Sequence, residues 1–184
     1  MNYLDKFADI KHFVFDVDGV FTNNQMLLTE QGELLRSFNA RDGFAVKFAI
    51  KQGYSVSIIT GGTSNGVALR FKGLGVIDVF IGAEDKKAIF EDFINKRQLE
   101  CATILYMGDD LMDVPVLRLV GLSACPNDAI QEVKNIAQYI SPLKGGAGCV
   151  REVIEKVLKL HGKWPIPQRS NADIIFETET DHEN

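Results

Sequence analysis

Short runs of β-branched and aromatic residues alternate along the chain with longer amphipathic segments, and Gly, Pro, Asn or Asp stands at each change. The short runs predict strands at residues 12–17, 54–59, 76–81, 103–107 and 121–125, with a shorter candidate at 138–141. The amphipathic segments predict helices at residues 42–52, 64–73, 86–97, 112–119, 128–136 and 148–160. Strands that alternate with helices form parallel sheets covered on both faces, so the sequence predicts a doubly wound, Rossmann-like α/β domain.

One segment departs from this alternation. Residues 25–38, with the sequence QMLLTEQGELLRSF, contain two short apolar runs on either side of a turn-like stretch around Gly32. We expect a β-hairpin inserted after the first strand, spanning about residues 21–38 with its flanks. The stretch from about residue 162 carries two prolines and an acidic end, and is expected to be a flexible tail of one domain formed by residues 1–184.

Composition restricts the class of ligand. The chain has 184 residues, of which 46% are hydrophobic, and this is enough for one domain with a substantial core. Its net charge of −5 argues against a broad basic surface for nucleic acid or anionic lipid, but it allows a local cationic pocket for a small anion. No run resembles a secretory signal or approaches the ~20 apolar residues of a membrane span, so we expect a cytoplasmic protein. The three cysteines are far apart and are expected to be reduced thiols in the core.

Polar residues follow four of the predicted strands, at the positions where an open parallel sheet binds its ligands. They are Asp16 and Asp18 after the first strand, Thr60 and Gly61 after the second, Lys86 after the third, and Asp109, Asp110 and Asp113 after the fourth. Because the carboxyl ends of parallel strands meet at one edge of a sheet, we expect these side chains to converge there.

Asp16 and Asp18 are separated by one residue, so in a regular strand their side chains would point to the same side and repel each other. A divalent cation would remove that repulsion, and Mg²⁺ prefers one or two carboxylates with water and a phosphate oxygen. Asp16, Asp109 and the backbone carbonyl of Val17 or Asp18 could supply the protein ligands. An EF-hand calcium loop that begins at Asp16 is excluded because apolar residues stand at the fifth, sixth and twelfth positions.

With a metal bound, these residue types suit phosphoryl transfer. One carboxylate can attack phosphorus, and a second carboxyl can pass a proton to the leaving oxygen and later take one from water. The hydroxyl of Thr60 and the backbone N–H groups around Gly61 can bind phosphate oxygens, while Lys86 can offset the charge of the transferring group. The sequence therefore predicts a phosphate site at the carboxyl edge of the sheet.

The motifs DVDG, TG, Lys86 and GDDLMD occur in an order that resembles the haloacid dehalogenase superfamily of phosphohydrolases, and the match covers about residues 12–160. The resemblance implies that Asp16 is the nucleophile and Asp18 the general acid/base. It also implies that Thr60 and Lys86 bind the phosphate during catalysis, and that Asp16, Asp18 and Asp109 form the Mg²⁺ site. The role of Asp113 stays open, and Asp110 either helps to position the metal or caps the following helix.

Counting residues between the motifs leaves no room for a cap domain on either side of Thr60. This layout, with the hairpin and the late sequence GGAGCVREVIEKVL, resembles the capless phosphatases that act on eight-carbon and nine-carbon sugar-acid phosphates. That resemblance implies a homotetramer assembled through the hairpins, in which neighbouring subunits complete each site. Apolar residues in the hairpin, such as Met26 and Leu28, are too many for an isolated ribbon and should pack against something.

The same resemblance implies a substrate with a carboxylate, which needs a cationic partner. Arg70 is the first candidate for this substrate-binding role, with Lys72 and Arg151 as further candidates. Relatives often carry a charged side chain directly after the Thr-Gly motif, whereas this chain has Gly62. We expect 3-deoxy-D-manno-octulosonate 8-phosphate as the substrate, with a nine-carbon 9-phosphate as the alternative.

Two other functions use similar residues. Receiver domains of signalling proteins combine a phosphorylated Asp, acidic metal ligands, a Thr and a Lys on a doubly wound sheet, so a non-catalytic switch is one alternative. In receivers, however, the phosphorylated Asp lies two strands after the first acidic pair, whereas here the second strand ends in Thr60 and the next acids begin at Asp109. A phosphomutase is the other alternative, and it would be expected to carry a cap domain.

Overall fold

A computed structural model describes residues 3–165, so most of the predicted tail lies outside the described residues. Eight strands occur in this part of the chain: β1 His12–Phe15, β2 Leu27–Leu28, β3 Leu34–Leu35, β4 Ser55–Ile59, β5 Asp78–Phe80, β6 Ile104–Met107, β7 Leu122–Cys125 and β8 Tyr139–Ile140. Six of them form one sheet in the order β5-β4-β1-β6-β7-β8, and every neighbouring pair is parallel. The predicted parallel sheet is confirmed.

The helices alternate with these strands. They are α1 Tyr3–Ala8, α2 Ala40–Lys51, α3 Asn65–Gly73, α4 Lys86–Arg97, α5 Val114–Leu117, α6 Gln131–Lys134 and α7 Cys149–Leu160, with 3₁₀ turns at Cys101–Thr103 and Leu111–Asp113. Within residues 3–165, none of these helices has the length and apolar character that crossing a bilayer demands. The helices are packed on both faces of the sheet, as expected for a doubly wound fold.

Alternation along β1 separates two hydrophobic cores. Phe13 and Phe15 face one core together with side chains of α2, α3 and α7, whereas Val14 faces a second core with side chains of α4 and α5. All three side chains are buried, because both faces of a central parallel strand are covered by helices. The alternation of side chains along the strand therefore explains why helices pack on both faces of the sheet.

The strand order explains where a ligand site can form. From β1 the chain proceeds outward to β4 and β5, then returns to the other side of β1 to form β6, β7 and β8. The direction of winding therefore reverses between β1 and β6. In doubly wound folds the loops diverge at this point and leave a crevice beyond the carboxyl ends of the strands.

The first strand is shorter than predicted. It ends at Phe15, and the chain then turns tightly, because the amides of Val20, Phe21 and Thr22 all donate to the carbonyl oxygen of Val17, at 3.2, 2.9 and 3.2 Å. Asp16 and Asp18 therefore lie in a loop rather than on one side of a strand. Both residues still line one cleft at the carboxyl edge of the sheet.

Three other regions differ from the sequence-based prediction. The single helix predicted at 112–119 is a 3₁₀ turn followed by the four-residue helix α5, which has Pro115 in its first turn. Helix α1 was not predicted, and Phe7 at its end is fully buried in the larger core. The predicted helix at 128–136 is helical only over the four residues of α6.

The hairpin is present as predicted. Strands β2 and β3 are antiparallel, with Leu27 opposite Leu35, and the amide of Thr29 donates to the carbonyl oxygen of Glu33 at 3.0 Å to close the turn. Phe38, at the end of the hairpin, packs against the larger core. The apolar side chains nearer the tip are exposed, and they are Met26, Leu27, Leu28, Leu34 and Leu35.

Candidate active site

The predicted strand ends converge on one cleft of about 350 Å³ at the carboxyl edge of the sheet. Asp16 follows β1, Thr60 follows β4, Lys86 begins α4 and Asp109 follows β6, and all four side chains are buried. The lining also includes Asp18, Gly61, Asn24 and Asp110. The structure thus brings together Asp16 and Asp109, which are 93 positions apart, since the parallel strands deliver them to the same edge.

A group of buried carboxylates forms the floor of this cleft. Asp16, Asp109 and Asp113 each present an oxygen within 4.8 Å of the other two. Lys86 lies among them, with its Nζ 2.9 Å from Asp16 Oδ2 and 2.7 Å from Asp113 Oδ1. One ammonium group therefore faces three carboxylates, and negative charge is in excess.

This excess of negative charge shifts the pKa values of the groups in the site. Burial raises the pKa of Asp16 to about 7, and the charge of Asp113 adds to the increase while Lys86 opposes it. Burial likewise raises the pKa of Asp109 to about 8, and the charges of Asp16 and Asp113 contribute. Burial alone would lower the pKa of Lys86, but its two carboxylate neighbours outweigh that effect and raise it.

Asp113 has the most hydrogen bonds of the group. Its Oδ1 accepts from Lys86 Nζ at 2.7 Å and from the hydroxyl of Tyr106 at 2.6 Å, while its Oδ2 accepts from the amides of Asp109 at 3.0 Å and Asp110 at 3.2 Å. These bonds fix the loop that carries Asp109 and the position of the ammonium group. Asp113 therefore acts on the site by holding its neighbours in place.

Two buried oxygens remain unsatisfied. Asp16 Oδ1 and Asp109 Oδ1 have no hydrogen-bond partner within residues 3–165. A buried carboxylate oxygen without a donor is costly unless a cation compensates it. Two such oxygens on neighbouring strands match the small number of carboxylate ligands that Mg²⁺ takes, so these residues fit a magnesium ion.

Gly19 and Asn24 surround Asp109, and the sequence-based reasoning did not anticipate the contact with Asn24. Asn24 Nδ2 donates to Asp109 Oδ2 at 2.9 Å, and Asn24 itself has a φ of 63°, which Asn tolerates better than most residues. Gly19 has a φ of +82°, and a Cβ at this position would lie 1.9 Å from Asp109 Oδ2. Only glycine fits there without moving the carboxylate.

The carboxylate of Asp18 has a different environment from that of Asp16. Both of its oxygens accept hydrogen bonds from Arg36 of the hairpin, Oδ1 from Nε at 2.7 Å and Oδ2 from Nη2 at 3.0 Å. It does not belong to the carboxylate group on the floor of the cleft. Arg36 thus compensates the charge of the Asp18 side chain. The part of Asp18 in the metal site stays a prediction, and its candidate ligand atom is the backbone carbonyl oxygen.

Arg70, the first candidate for binding the substrate, lies elsewhere. Its guanidinium faces Gly43 of α2, where a Cβ would lie 2.6 Å from Nη2, and it does not line the cleft. Arg151 lies over the rings of Phe44 and Trp164, also away from the cleft. Within one subunit these predictions are not supported, because the helices that carry both residues direct them toward helix packing rather than toward the sheet edge.

A second, larger cavity adjoins the cleft. It has a volume of about 710 Å³ and lies between the hairpin and the loop that follows β4. Asp18, Gly61 and Gly62 line both spaces, and Arg36 lines the larger one. A substrate whose phosphate occupies the cleft could therefore extend beneath the hairpin. Arg36 directly follows the short apolar strand β3, and this position by itself does not indicate a contact with Asp18.

Comparison with known proteins places the chain in a family. The model of the haloacid dehalogenase-like hydrolases matches residues 64–153. The 3-deoxy-D-manno-octulosonate 8-phosphate phosphatase of Salmonella typhi is 35% identical over 87% of this chain and 85% of its own length.

Solved structures agree with this similarity. The phosphatase of the same name from Yersinia pestis matches with a TM-score of 0.84 at 34% identity, over 87% of this chain and 86% of its own. The enzyme from Moraxella catarrhalis was determined in complex with a magnesium ion, a phosphate ion and KDO. It matches with a TM-score of 0.84 at 30% identity, over 97% of this chain and 98% of its own.

Proposed function

Because the chain belongs to the haloacid dehalogenase-like hydrolases, we propose that it is a Mg²⁺-dependent phosphomonoesterase that hydrolyses 3-deoxy-D-manno-octulosonate 8-phosphate. The observation that carries the proposal is the pair of unsatisfied oxygens on Asp16 and Asp109 beside Lys86, at the switch point of the sheet. The magnesium, phosphate and sugar acid bound by the similar Moraxella enzyme support the same ligands here.

Asp16 is the proposed nucleophile. Its carboxylate attacks phosphorus while the bond from phosphorus to the ester oxygen breaks, and the ester oxygen takes a proton from Asp18 and leaves as the alcohol. In the second step Asp18 takes a proton from water, whose oxygen attacks phosphorus. The bond to Asp16 then breaks, which releases inorganic phosphate and returns Asp18 to its protonated form.

The remaining residues bind and orient. Asp16 and Asp109 hold the Mg²⁺, which when bound supplies positive charge to the phosphate oxygens. Lys86 neutralises part of the charge that gathers around phosphorus, and Thr60 with the backbone of Gly61 binds phosphate oxygens at the end of β4. Asp113 keeps the ammonium group of Lys86 in place through its 2.7 Å contact.

A nine-carbon sugar-acid 9-phosphate is the second candidate substrate. Gly62 carries no side chain at the junction between the cleft and the cavity beneath the hairpin, and this leaves about 710 Å³ for the distal part of the substrate. That space does not by itself exclude one additional carbon. The eight-carbon compound is favoured because the similar phosphatases reported above are named for it.

The proposed enzyme is a homotetramer assembled through the hairpins. The support for this is the cluster of exposed apolar side chains on β2 and β3, of which Leu27 and Leu28 are 67% and 66% exposed. A monomer would leave this cluster in water, which is unusual for contiguous leucines. A neighbouring subunit that covers the hairpin would also close the cavity beneath it.

Replacement of Asp16 tests the mechanism. Asp16→Asn keeps the shape of the side chain but removes the nucleophilic charge, so phosphate release from 3-deoxy-D-manno-octulosonate 8-phosphate should fall by several orders of magnitude with folding retained. Asp92→Asn is the matched control, because Asp92 pairs with Lys96 on the exposed face of α4 and should leave activity unchanged. A metal chelator should abolish the activity, and added Mg²⁺ should restore it. Near-parental release by Asp16→Asn would refute the covalent mechanism.

A further inference from the structure

Arg36 and Asp18 form a close ion pair between the hairpin and the loop after β1. Nε and Nη2 of the guanidinium donate to the two carboxylate oxygens at 2.7 and 3.0 Å, which is a bidentate arrangement that fixes both distance and plane. Nη1 donates to the carbonyl oxygen of Leu34 at 3.1 Å. The Arg36 side chain is only 6% exposed. The hairpin therefore fixes the position of the Arg36 guanidinium, and the guanidinium fixes the orientation of the Asp18 carboxyl group.

Gly62 makes room for this pair. A Cβ at that position would lie 3.2 Å from Arg36 Nη2 and 3.4 Å from Asp18 Oδ2. Any longer side chain would compete with the guanidinium for the same space. The absence of a side chain at position 62 and the presence of Arg36 are thus two parts of one arrangement at the junction of the cleft and the larger cavity.

We propose that Arg36 is a positioning residue that holds the carboxyl group of Asp18 in the orientation needed for proton transfer to the leaving oxygen. The inference rests on the proposed function. Asp18 lies within the tight turn that begins at Val17, and the two bonds from Arg36 are its side-chain hydrogen bonds in the described part of the chain. Without them the carboxyl group would rotate freely at the mouth of the cleft, and proton transfer depends steeply on such placement.

The alternative role for Arg36 is to bind the carboxylate of the substrate. Its Nε and Nη2 each donate to Asp18 and its Nη1 donates to Leu34, so every nitrogen of the guanidinium already has a partner. The second N–H of Nη2 points to Met26 Sδ at 3.9 Å, so of the five N–H groups only one, on Nη1, has no partner within residues 3–165. A substrate carboxylate could not form a bidentate pair with Arg36 without displacing Asp18. The geometry therefore favours a positioning role for Arg36. The two roles can be distinguished, because each predicts that loss of Arg36 slows the hydrolysis of a different set of substrates.

The test measures how Arg36→Gln changes kcat/KM for three phosphomonoesters. p-Nitrophenyl phosphate releases a stable anion that needs no proton, whereas a hexose 6-phosphate and the sugar-acid phosphate release alkoxides that do. The ratio kcat/KM reports only the steps up to loss of the alcohol, so the second half-reaction does not contribute. We expect kcat/KM to fall at least ten times more for both alkyl esters than for the aryl ester. Asp18→Asn should show the same pattern, and Arg36→Lys should be intermediate because a lysine makes a single contact.

Controls separate positioning from folding and assembly. Arg97→Gln removes another Arg–Asp pair, in which Arg97 Nη2 lies 2.7 Å from Asp78 Oδ1 on the surface. This change should leave kcat/KM for the alkyl esters, relative to kcat/KM for the aryl ester, at the parental value. Circular dichroism and light scattering should show the parental fold and mass for Arg36→Gln. An equal loss on all three esters, or a loss confined to the ester that bears a carboxylate, would overturn the positioning role. If the parent protein hydrolyses none of the esters, the proposed function itself fails.

Discussion

At the scale of single residues, the site depends on groups that lie within hydrogen-bond distance of the carboxylates. Asp16, Thr60, Lys86 and Asp109 were identifiable because each stands directly after a strand or at the start of a helix, where the fold fixes its position. The individual roles assigned to them remain proposals that mutagenesis can test.

Gly19 allows a prediction with an internal control. Gly19→Ala would place a methyl group 1.9 Å from Asp109 Oδ2, whereas Gly32→Ala, at a similar φ of +80°, would meet nothing within 4 Å. Both changes should cost about 1–2 kcal/mol of stability because an L-residue is strained at positive φ. Only Gly19→Ala should displace Asp109, and it should lower kcat by ~100-fold or more.

Steady-state kinetics with a titration of Mg²⁺ measures this difference. We expect Gly19→Ala to need more Mg²⁺ for half-maximal activity, and Gly32→Ala to match the parent. Equal activity of the two variants would mean that Asp109 moves without consequence, and its assignment as a metal ligand would then be wrong.

Arg36 and Asn24 could not be identified from the sequence. The Asn24 contact with Asp109 spans 85 positions and depends on a left-handed backbone conformation, which periodicity does not reveal. The Arg36 contact depends on the turn at Val17, which directs Asp18 toward the hairpin. The sequence predicted a strand over residues 12–17, whereas β1 ends at Phe15 and the turn follows.

At the scale of elements, the two hairpin strands pair only with each other within residues 3–165 and form a sheet of their own. Strands β2 and β3 are two residues each, and Phe38 connects the base of the hairpin to the larger core. An isolated two-stranded ribbon of this kind is marginal in water. Its order is therefore expected to depend on neighbouring subunits.

Charged residues in the hairpin test this expectation. The double change Met26→Asp and Leu28→Asp should convert the proposed tetramer into smaller species and reduce activity on the natural substrate, because a buried charge opposes association. Ile77→Asp is the control, since Ile77 is exposed just before β5 and lies outside the hairpin. Light scattering at micromolar concentration and physiological salt gives the masses. A monomeric parent protein would contradict the assembly.

At the scale of the whole molecule, the pattern of apolar residues was sufficient to predict the architecture. All six strands of the parallel sheet lie within the predicted segments, because strands with both faces buried are short, continuous apolar runs. Helix α1 was missed since its six residues are too few to show a helical period. Short turns such as Leu111–Asp113 are set by hydrogen bonds to Asp113 rather than by periodicity.

The central claim is that this chain hydrolyses 3-deoxy-D-manno-octulosonate 8-phosphate, and a comparison of kcat/KM tests it most directly. Phosphate release should be measured with Mg²⁺ on this compound, on the 9-phosphate of 2-keto-3-deoxynononate and on simple hexose phosphates. The account predicts a preference of at least tenfold for the eight-carbon ester, about 1.4 kcal/mol of transition-state discrimination. The same margin in favour of the nine-carbon ester, or equal values for all of them, would contradict it.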